Sequence, residues 1–436
     1  MEQMRSYYLW TIGCQMNKAD SERLESAMSQ MGLTPTGSPN DADVVVLNSC
    51  VVRQSAEDRV VGMLTSLKPL KIREPNRVVA LMGCMVGPKA DRLQSRFPYV
   101  DVFMRPQQYE PLIELLGQRM GIDPEGCVGP LTAKPAVATY IPIIQGCDKF
   151  CTFCIIPYRR GREVSRPVAD IVREAELLAQ RGVKEVTLLG QNVDSYGHDL
   201  PGAPDLADLL AAVNGVDGLQ RIRFLTSHPN DMTRHILDAV ASLDKVCEHI
   251  NLPFQAGDDA VLANMRRGYT NAQYREKIAL IRTRIPNVSL TTDIIVGFCG
   301  ETSEQFQQTY DLVRDIRFDK VHIAAYSTRP GTIAARHLED TVPAEVKQDR
   351  REALESLQES IAAEVNASLV GRTSEVLVEG VQGGKAYGRN RNDKLVHIEG
   401  AEDRVGELVS VRVEKASPWS LQGMVAKAPA LAGGRV

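Results

Sequence analysis

The chain has 436 residues and a formal net charge of −4, longer than one hydrophobic core ordinarily serves, so two or three domains are expected. A near-neutral balance excludes a uniformly basic nucleic-acid binder but leaves room for a local basic face. No stretch approaches the roughly 18 apolar residues of a membrane span, and the opening MEQMRSYYLW has no apolar core with a cleavage site, so the protein is expected in the cytoplasm with no membrane partner. In that reducing compartment nine cysteines read as metal ligands or core residues rather than disulfides.

From Arg5 short β-branched runs alternate with helical ones: YYLWTIGC before NKADSERLESAMSQMG, DVVVLNSC before SAEDRVVGMLTSL, RVVALMGC before GPKADRLQSRF. That alternation predicts an open parallel α/β sheet over residues 1–130. Cys14, Cys50 and Cys84 each close one of these strands. The carboxyl ends of an open parallel sheet share one edge, so three cysteines distant in sequence converge there as candidate ligands of one metal centre. Three separate buried thiols are the plainer alternative. Helix N-termini after Cys14 and Cys50 would turn amides and positive dipole ends toward an anionic cluster. DVFMRPQQYEPLIELLGQRMG adds a further strand and helix, and IDPEGCVGPLTAKPAVA, with Pro, Gly and an unpartnered Cys127, reads as a linker.

The central region, residues 135–370, opens with the strand YIPIIQG and then GCDKFCTFCIIPYRRGREVSRP, in which Cys147, Cys151 and Cys154 stand as C-x-x-x-C-x-x-C. Three thiolates this close can hold three irons of a [4Fe–4S] cluster and leave the fourth iron open to an exogenous ligand. A zinc site would want a fourth Cys or His nearby, and the local sequence supplies none. A helix starts near Pro167, and the strands EVTLLG, RIRFLT, EHINLPF, VSLTTDIIVGF and KVHIAAYS follow, each with its helix. Six βα units describe an incomplete (β/α)6 barrel, whose chemistry belongs at the C-terminal ends of its strands. There the sequence places Gln191, Asn192, Ser227, His228, Gln255 and Asp293. Any one of them could cap a helix instead; together they form a polar pocket.

After a long helical run from Pro343, five short strands separated by turns at Gly383–Gly384 and Asn392–Asp393 suggest a small OB-like barrel over residues 371–430. Residues 371–436 hold ten Lys or Arg against eight acidic residues, a slight basic excess. Lys385, Tyr387, Arg389, Arg391 and Lys394 cluster on one hairpin, mixing phosphate-binding charge with an aromatic stacker; a solvated charged face accounts for them equally well. Arg159, Arg160, Arg162 and Arg166, behind the cysteine loop, are candidates for RNA phosphates, with structural ion pairs as the alternative. The tail APALAGGRV reads as disordered.

The chain resembles the radical S-adenosylmethionine (SAM) methylthiotransferases, and within them the MiaB-type bacterial enzymes that form 2-methylthio-N6-dimethylallyladenosine in tRNA. The motifs run nearly end to end: GCQMNKADSE, VVVLNSCVVR, LMGCM, QGCDKFCTFCIIPYRRGREVSRP, LLGQNV, RIRFLTSHP, RRGYT, TDIIVGF and YSTRPGT. Three positions depart from the family pattern: Cys299 where Pro is usual, Asn251 for His and Ala256 for Ser.

The resemblance implies that Cys147, Cys151 and Cys154 hold the cluster that binds SAM and yields a 5′-deoxyadenosyl radical, with Phe153 beside the adenine and Gln191, Asn192 and Asp293 as further SAM contacts. It implies that Cys14, Cys50 and Cys84 hold an auxiliary [4Fe–4S] cluster that carries sulfur, and that the C-terminal barrel is an RNA-binding TRAM domain. The implied partners are a tRNA bearing N6-isopentenyladenosine, an electron donor such as flavodoxin or ferredoxin, and a sulfur donor. Sister methylthiotransferases that act on threonylcarbamoyl-adenosine in tRNA or on a ribosomal-protein aspartate share the six cysteines and the TRAM domain; TSHP, RGYT and YSTRPGT favour the isopentenyl-adenosine enzyme. A non-catalytic iron–sulfur RNA-binding protein is the rival from another class.

Overall fold

The computed structural model describes residues 4–51, 54–87, 90–123 and 136–426. Cys127, most of the expected linker and the APALAGGRV tail lie outside the described residues.

In the N-terminal region five strands, β1 (Ser6–Thr11), β2 (Thr34–Pro35), β3 (Val44–Ser49), β4 (Val78–Gly83) and β5 (Val102–Met104), pair in parallel in the order β2-β1-β3-β4-β5. Every residue of β3 and β4 is buried, as continuous apolar strands between two helical layers require. Leu24, Ala27 and Met28 of the helix Gln15–Gln30 pack with Leu112, Ile113 and Leu116 on one face. Val60, Leu64, Leu67 and Leu70 of the helix Gln54–Arg73 cover the other. This second helix runs past its expected end at Leu67 and through Pro69, because Leu70 continues its buried stripe.

The central region begins with β6 (Ala138–Pro142). A two-stranded antiparallel ribbon, β7 (Ile144–Gln145) with β8 (Val164–Ser165), brackets the cysteine loop. The other barrel strands are β9 (Glu185–Leu189), β10 (Arg221–Phe224), β11 (His249–Asn251), β12 (Ser289–Val296) and β13 (Lys320–Ala325). β6, β9 and β10 form one parallel sheet, β11, β12 and β13 a second, and the bridge Ile222–Val246 joins them. The expected six-stranded incomplete barrel is therefore present.

The helix Ala344–Ala367 leads into β14 (Thr373–Gln382), β15 (Lys385–Asn390), β16 (Leu395–Glu399), β17 (Leu408–Ala416) and β18 (Leu421–Val425), which close into a barrel in the order β14-β15-β16-β18-β17. Gly383 and Gly384, at φ 58° and 76°, make the tight β14–β15 turn that side chains with a Cβ resist.

This small barrel sits on the N-terminal ends of the central strands, the end away from the cysteine loop. Arg221, which opens β10, pairs with Glu375 at 2.9 Å, and Lys394 pairs with Asp319 at 2.6 Å. Arg223 donates to the main-chain oxygens of Arg391 and Asn390. Of the two hairpin arginines expected to meet RNA, Arg391 is drawn into this contact, whereas Arg389 stays partly exposed. Arg391 is bound by both Glu248 oxygens at 2.7 and 2.8 Å and by the carbonyls of Asp244 and Val246. Arg389 lies beside Asp393 and Glu379. The hairpin tip is a domain contact because Glu248 and Asp319, far away in sequence, pair with Arg391 and Lys394.

Candidate functional site

The loop that carries Cys147, Cys151 and Cys154 is pinched at its neck. Gly146 has φ +80°, and a Cβ there would lie 2.0 Å from the Arg162 carbonyl oxygen, so only glycine fits. The Cys147 amide donates to the Gly161 carbonyl at 3.2 Å and the Cys154 amide to that of Cys151 at 3.0 Å. Thr152 ties the loop to the barrel: its hydroxyl donates to the Asn264 carbonyl and its amide to that of Met265. Between the cysteines and the helix expected near Pro167, a short helix, Ile156–Arg160, turns the chain back toward β8.

The three sulfurs border a cavity of about 670 Å³ at the C-terminal ends of the barrel strands, lined also by Phe153, Asn192, Ser227, His228, Gln255 and Asp293. The structure thus brings together every polar residue that the sequence placed at the barrel mouth. Gln191 borders the cavity too, and its Oε1 accepts from the Gly146 amide at 2.7 Å, so it holds the cysteine loop. Asn192 donates to Asp231 at 2.6 Å, while its own buried Oδ1 has no partner among the described residues. Asn251 donates to Asp293 at 3.2 Å and to Thr291, which fixes the Asp293 carboxylate. Phe153 meets Phe298 edge-on at 6.5 Å. Cys299 packs at the margin of the core near Tyr326 and is not among the residues that line the cavity.

Burial pushes the Cys154 thiol up to about 12 and the Cys147 thiol up to about 11. Against that cost stands Arg267, 6% exposed. It donates to the Cys151 sulfur at 3.3 Å, to the Pro253 carbonyl at 2.9 Å and to the Tyr269 hydroxyl at 3.0 Å. Sequence reading missed Arg267, although it lies in the RRGYT motif. Burial also pushes His228 down to about 2, with Arg267 and Lys149 adding to the effect, so His228 enters the cavity as a neutral imidazole.

The second triad forms as the topology requires. Ser49 pairs with Gly83, so Cys50 and Cys84 leave β3 and β4 side by side, and Cys14 caps the helix Gln15–Gln30. Gly83 has φ +101°, and a Cβ there would sit 2.4 Å from the Ser49 carbonyl oxygen. Behind the cysteines lies a buried polar lattice. Asn17 donates to Asn48 Oδ1 and to the Ser49 carbonyl, Asn48 donates to Ser21, and Ser49 donates to the Met82 carbonyl. These residues belong to NKADSE and VVVLNSC, where hydrophobic periodicity gave no sign of their role. Burial pushes the Cys84 thiol up to about 11, and the nearby Arg160 opposes the shift.

The three thiolates of each triad suit three irons of a [4Fe–4S] cluster. Each triad also has a buried guanidinium beside it, suited to an anionic cluster. Between them, Gln54 and Ser55 of the helix after Cys50 border the same cavity, and Arg329 spans the gap by donating to Gln54 at 2.9 Å.

Of the arginines behind the loop, Arg160 corrects the RNA expectation: it is 3% exposed and its guanidinium lies inside the N-terminal region. Arg159 packs over Gly87, and Arg166 pairs with Glu174 at 2.6 Å. Arg162 is exposed, in a two-point pair with Asp148.

Comparison with known proteins agrees with this geometry. Residues 141–313 match the model of the Radical SAM superfamily, residues 6–105 that of the Uncharacterized protein family UPF0004, and residues 367–426 that of the TRAM domain. A tRNA-2-methylthio-N(6)-dimethylallyladenosine synthase of Dehalococcoides mccartyi is 50% identical over 97% of this chain and 99% of its own. A Roseiflexus enzyme of the same name is 52% identical over 97% and 90%, and one from Acetivibrio thermocellus 41% identical over 97% and 91%. Among solved structures, the radical SAM methyltransferase TsrM of Kitasatospora setae, with cobalamin and a [4Fe-4S] cluster bound, superposes with a TM-score of 0.55 at 14% identity, over 76% of this chain and 77% of that one. That likeness is one of fold.

Proposed function

The chain belongs to the tRNA-2-methylthio-N(6)-dimethylallyladenosine synthases of the radical SAM methylthiotransferase family, and from this we propose that it inserts a methylthio group at C2 of N6-isopentenyladenosine beside the anticodon of tRNA. SAM serves as methyl donor and as radical source. The observation that carries this reading is the single cavity bordered by one cysteine triad and reached by the chain that follows the other. A C2–H bond on an aromatic ring offers no useful acidity, so general acid–base groups would have little purchase on it, and His228, held neutral, is not asked to supply them.

The residues divide the work. Cys147, Cys151 and Cys154 hold one [4Fe–4S] cluster, and Cys14, Cys50 and Cys84 hold the other. With SAM bound, the two clusters supply the hydrogen-abstracting radical and the sulfur. The chain must hold the target carbon close to the abstracting one and exclude quenchers. Phe153 flanks the adenine of SAM, the unpartnered Asn192 Oδ1 and the Asn251-fixed Asp293 accept from its polar groups, and Gln191 keeps the cluster loop in register. Arg267 balances the charge at Cys151.

On this reading residues 1–130 form the auxiliary-cluster domain, 135–370 the radical SAM domain and 371–430 the RNA-binding domain. Lys385 and Tyr387, on β15 away from the domain contact, with Arg159 and Arg162 beside the loop, meet the tRNA. No helix among the described residues is long and apolar enough to cross a membrane, and we place the enzyme in the cytoplasm with a flavodoxin or ferredoxin as electron donor. Reconstituted Cys147→Ala should form no 5′-deoxyadenosine. Cys50→Ala should retain reductive SAM cleavage while making no methylthiolated nucleoside. Mass spectrometry of free 5′-deoxyadenosine in the reaction and of nucleosides from the digested tRNA reads the two outcomes, and full methylthiolation by Cys50→Ala would sink the two-cluster scheme.

A further inference from the structure

Arg160 belongs to the radical loop by sequence and to the other triad by position. It ends the helix Ile156–Arg160, which begins two residues after Cys154. The next residue, Gly161, turns the chain at φ +87° and accepts the Cys147 amide at 3.2 Å. The Arg160 carbonyl accepts from Gln145 at 3.3 Å. Its backbone is therefore part of the frame that closes the 147–154 loop.

The side chain points the other way. The guanidinium, 3% exposed, reaches Asn17 Oδ1 at 3.3 Å and Asp20 Oδ2 at 3.4 Å, and it stands beside the sulfurs of Cys84 and Cys14. Its buried Nη1 has no hydrogen-bond partner among the described residues, nor has Asp20 Oδ1. A buried guanidinium nitrogen without an acceptor is costly. Asp20 supplies one carboxylate, and the Cys84 sulfur is a further side-chain hydrogen-bond partner of the guanidinium.

We propose that Arg160 is a positioning residue for the auxiliary cluster, donated by the radical loop: its guanidinium hydrogen-bonds the sulfur shell at Cys84 and sets the cluster's reduction potential. This rests on the reading that Cys14, Cys50 and Cys84 hold a cluster. Hydrogen bonds and positive charge at cluster sulfurs favour the reduced, more negative state, so they raise the potential. One residue thereby links the two sites, because its main chain frames one triad while its side chain stands beside the other.

The test uses full-length protein with Cys147, Cys151 and Cys154 all replaced by Ala, so that the auxiliary cluster is the one under observation, and an EPR-monitored redox titration. In that background Arg160→Met should keep the fold by circular dichroism. It should either shift the midpoint to a more negative value or lose auxiliary iron, and Arg160→Lys, which keeps the charge, should recover part of the loss. A midpoint and iron content unchanged in Arg160→Met overturn the proposal, as does an Arg160→Lys that behaves like Arg160→Met. In the opposite background, with Cys14, Cys50 and Cys84 replaced by Ala, Arg160→Met should leave the midpoint of the radical cluster in place; an equal shift there means a general structural role and overturns the assignment. If the Cys147/Cys151/Cys154 variant binds no iron with Arg160 intact, the auxiliary-cluster reading fails, and that result is distinct from a failure of the arginine.

Discussion

The two cysteine triads reach similar settings by opposite routes. Cys147, Cys151 and Cys154 come from one turn of chain, so their spacing is fixed by local backbone: the pinched neck at Gly146 and the Cys147–Gly161 and Cys154–Cys151 hydrogen bonds. Cys14, Cys50 and Cys84 come from three strand ends, so their spacing is fixed by parallel pairing, with Ser49 opposite Gly83. A local triad needs a closed loop, whereas a distributed one needs a correctly registered sheet, since a one-residue slip turns each side chain to the opposite face. The difference implies that each site can be broken without the other.

Two glycines give the largest expected effects. At Gly83 an added Cβ meets Ser49 backbone at 2.4 Å and Asn48 Oδ1 at 2.5 Å, with φ at +101°. Gly83→Ala combines backbone strain with overpacking and should cost about 3 kcal/mol. It should empty the auxiliary site of iron while SAM cleavage persists. Gly146→Ala, whose Cβ would fall 2.0 Å from the Arg162 carbonyl, should do the reverse, abolishing deoxyadenosine formation while auxiliary iron remains. Iron and sulfide counts with a single-turnover deoxyadenosine assay read both. Equal loss at both sites in either variant would show that the triads are not separable.

A smaller effect sharpens the likeness between the triads. Each has a buried arginine close to one of its sulfurs, Arg267 at Cys151 and Arg160 beside Cys84. Arg267→Met removes the guanidinium that bonds a ligand sulfur, the Pro253 carbonyl and the Tyr269 hydroxyl. Loss of such an outer partner costs on the order of 10-fold in metal affinity or activity. SAM cleavage should fall about that much, with auxiliary iron unchanged; a loss confined to auxiliary iron would mean that the arginine serves the other site.

The same contrast explains what the sequence disclosed. The C-x-x-x-C-x-x-C loop is visible in one line of text, and the distributed triad is visible because a strand pattern ends in Cys three times. The six barrel strands and the five of the small domain follow from their apolar runs and turn residues. The destination of the arginines is not legible, because a guanidinium in RRGREVSR looks the same whether it faces water or a carboxylate elsewhere. Arg160 finds Asp20, 140 residues away, and Arg391 finds Glu248, 143 residues away. The Asn17–Asn48–Ser49 lattice is hidden for the same reason: polar residues inside buried strands and helices break the periodicity that would reveal them.

The smallest effect separates the two ends of the β15–β16 hairpin. Lys385 is exposed at the start of β15, whereas Arg391 is held by Glu248 and two carbonyls. If the exposed end meets RNA, Lys385→Glu should weaken tRNA binding and lower the slope of log K against log salt by about 1. Arg391→Ala should leave that slope unchanged and instead lower stability by about 1 kcal/mol, because its ion pair is only partly shielded from water. A reduced salt slope in Arg391→Ala, with Lys385→Glu unaffected, would move the RNA face to the hairpin tip and require the small barrel to leave its seat on the central strands when tRNA binds.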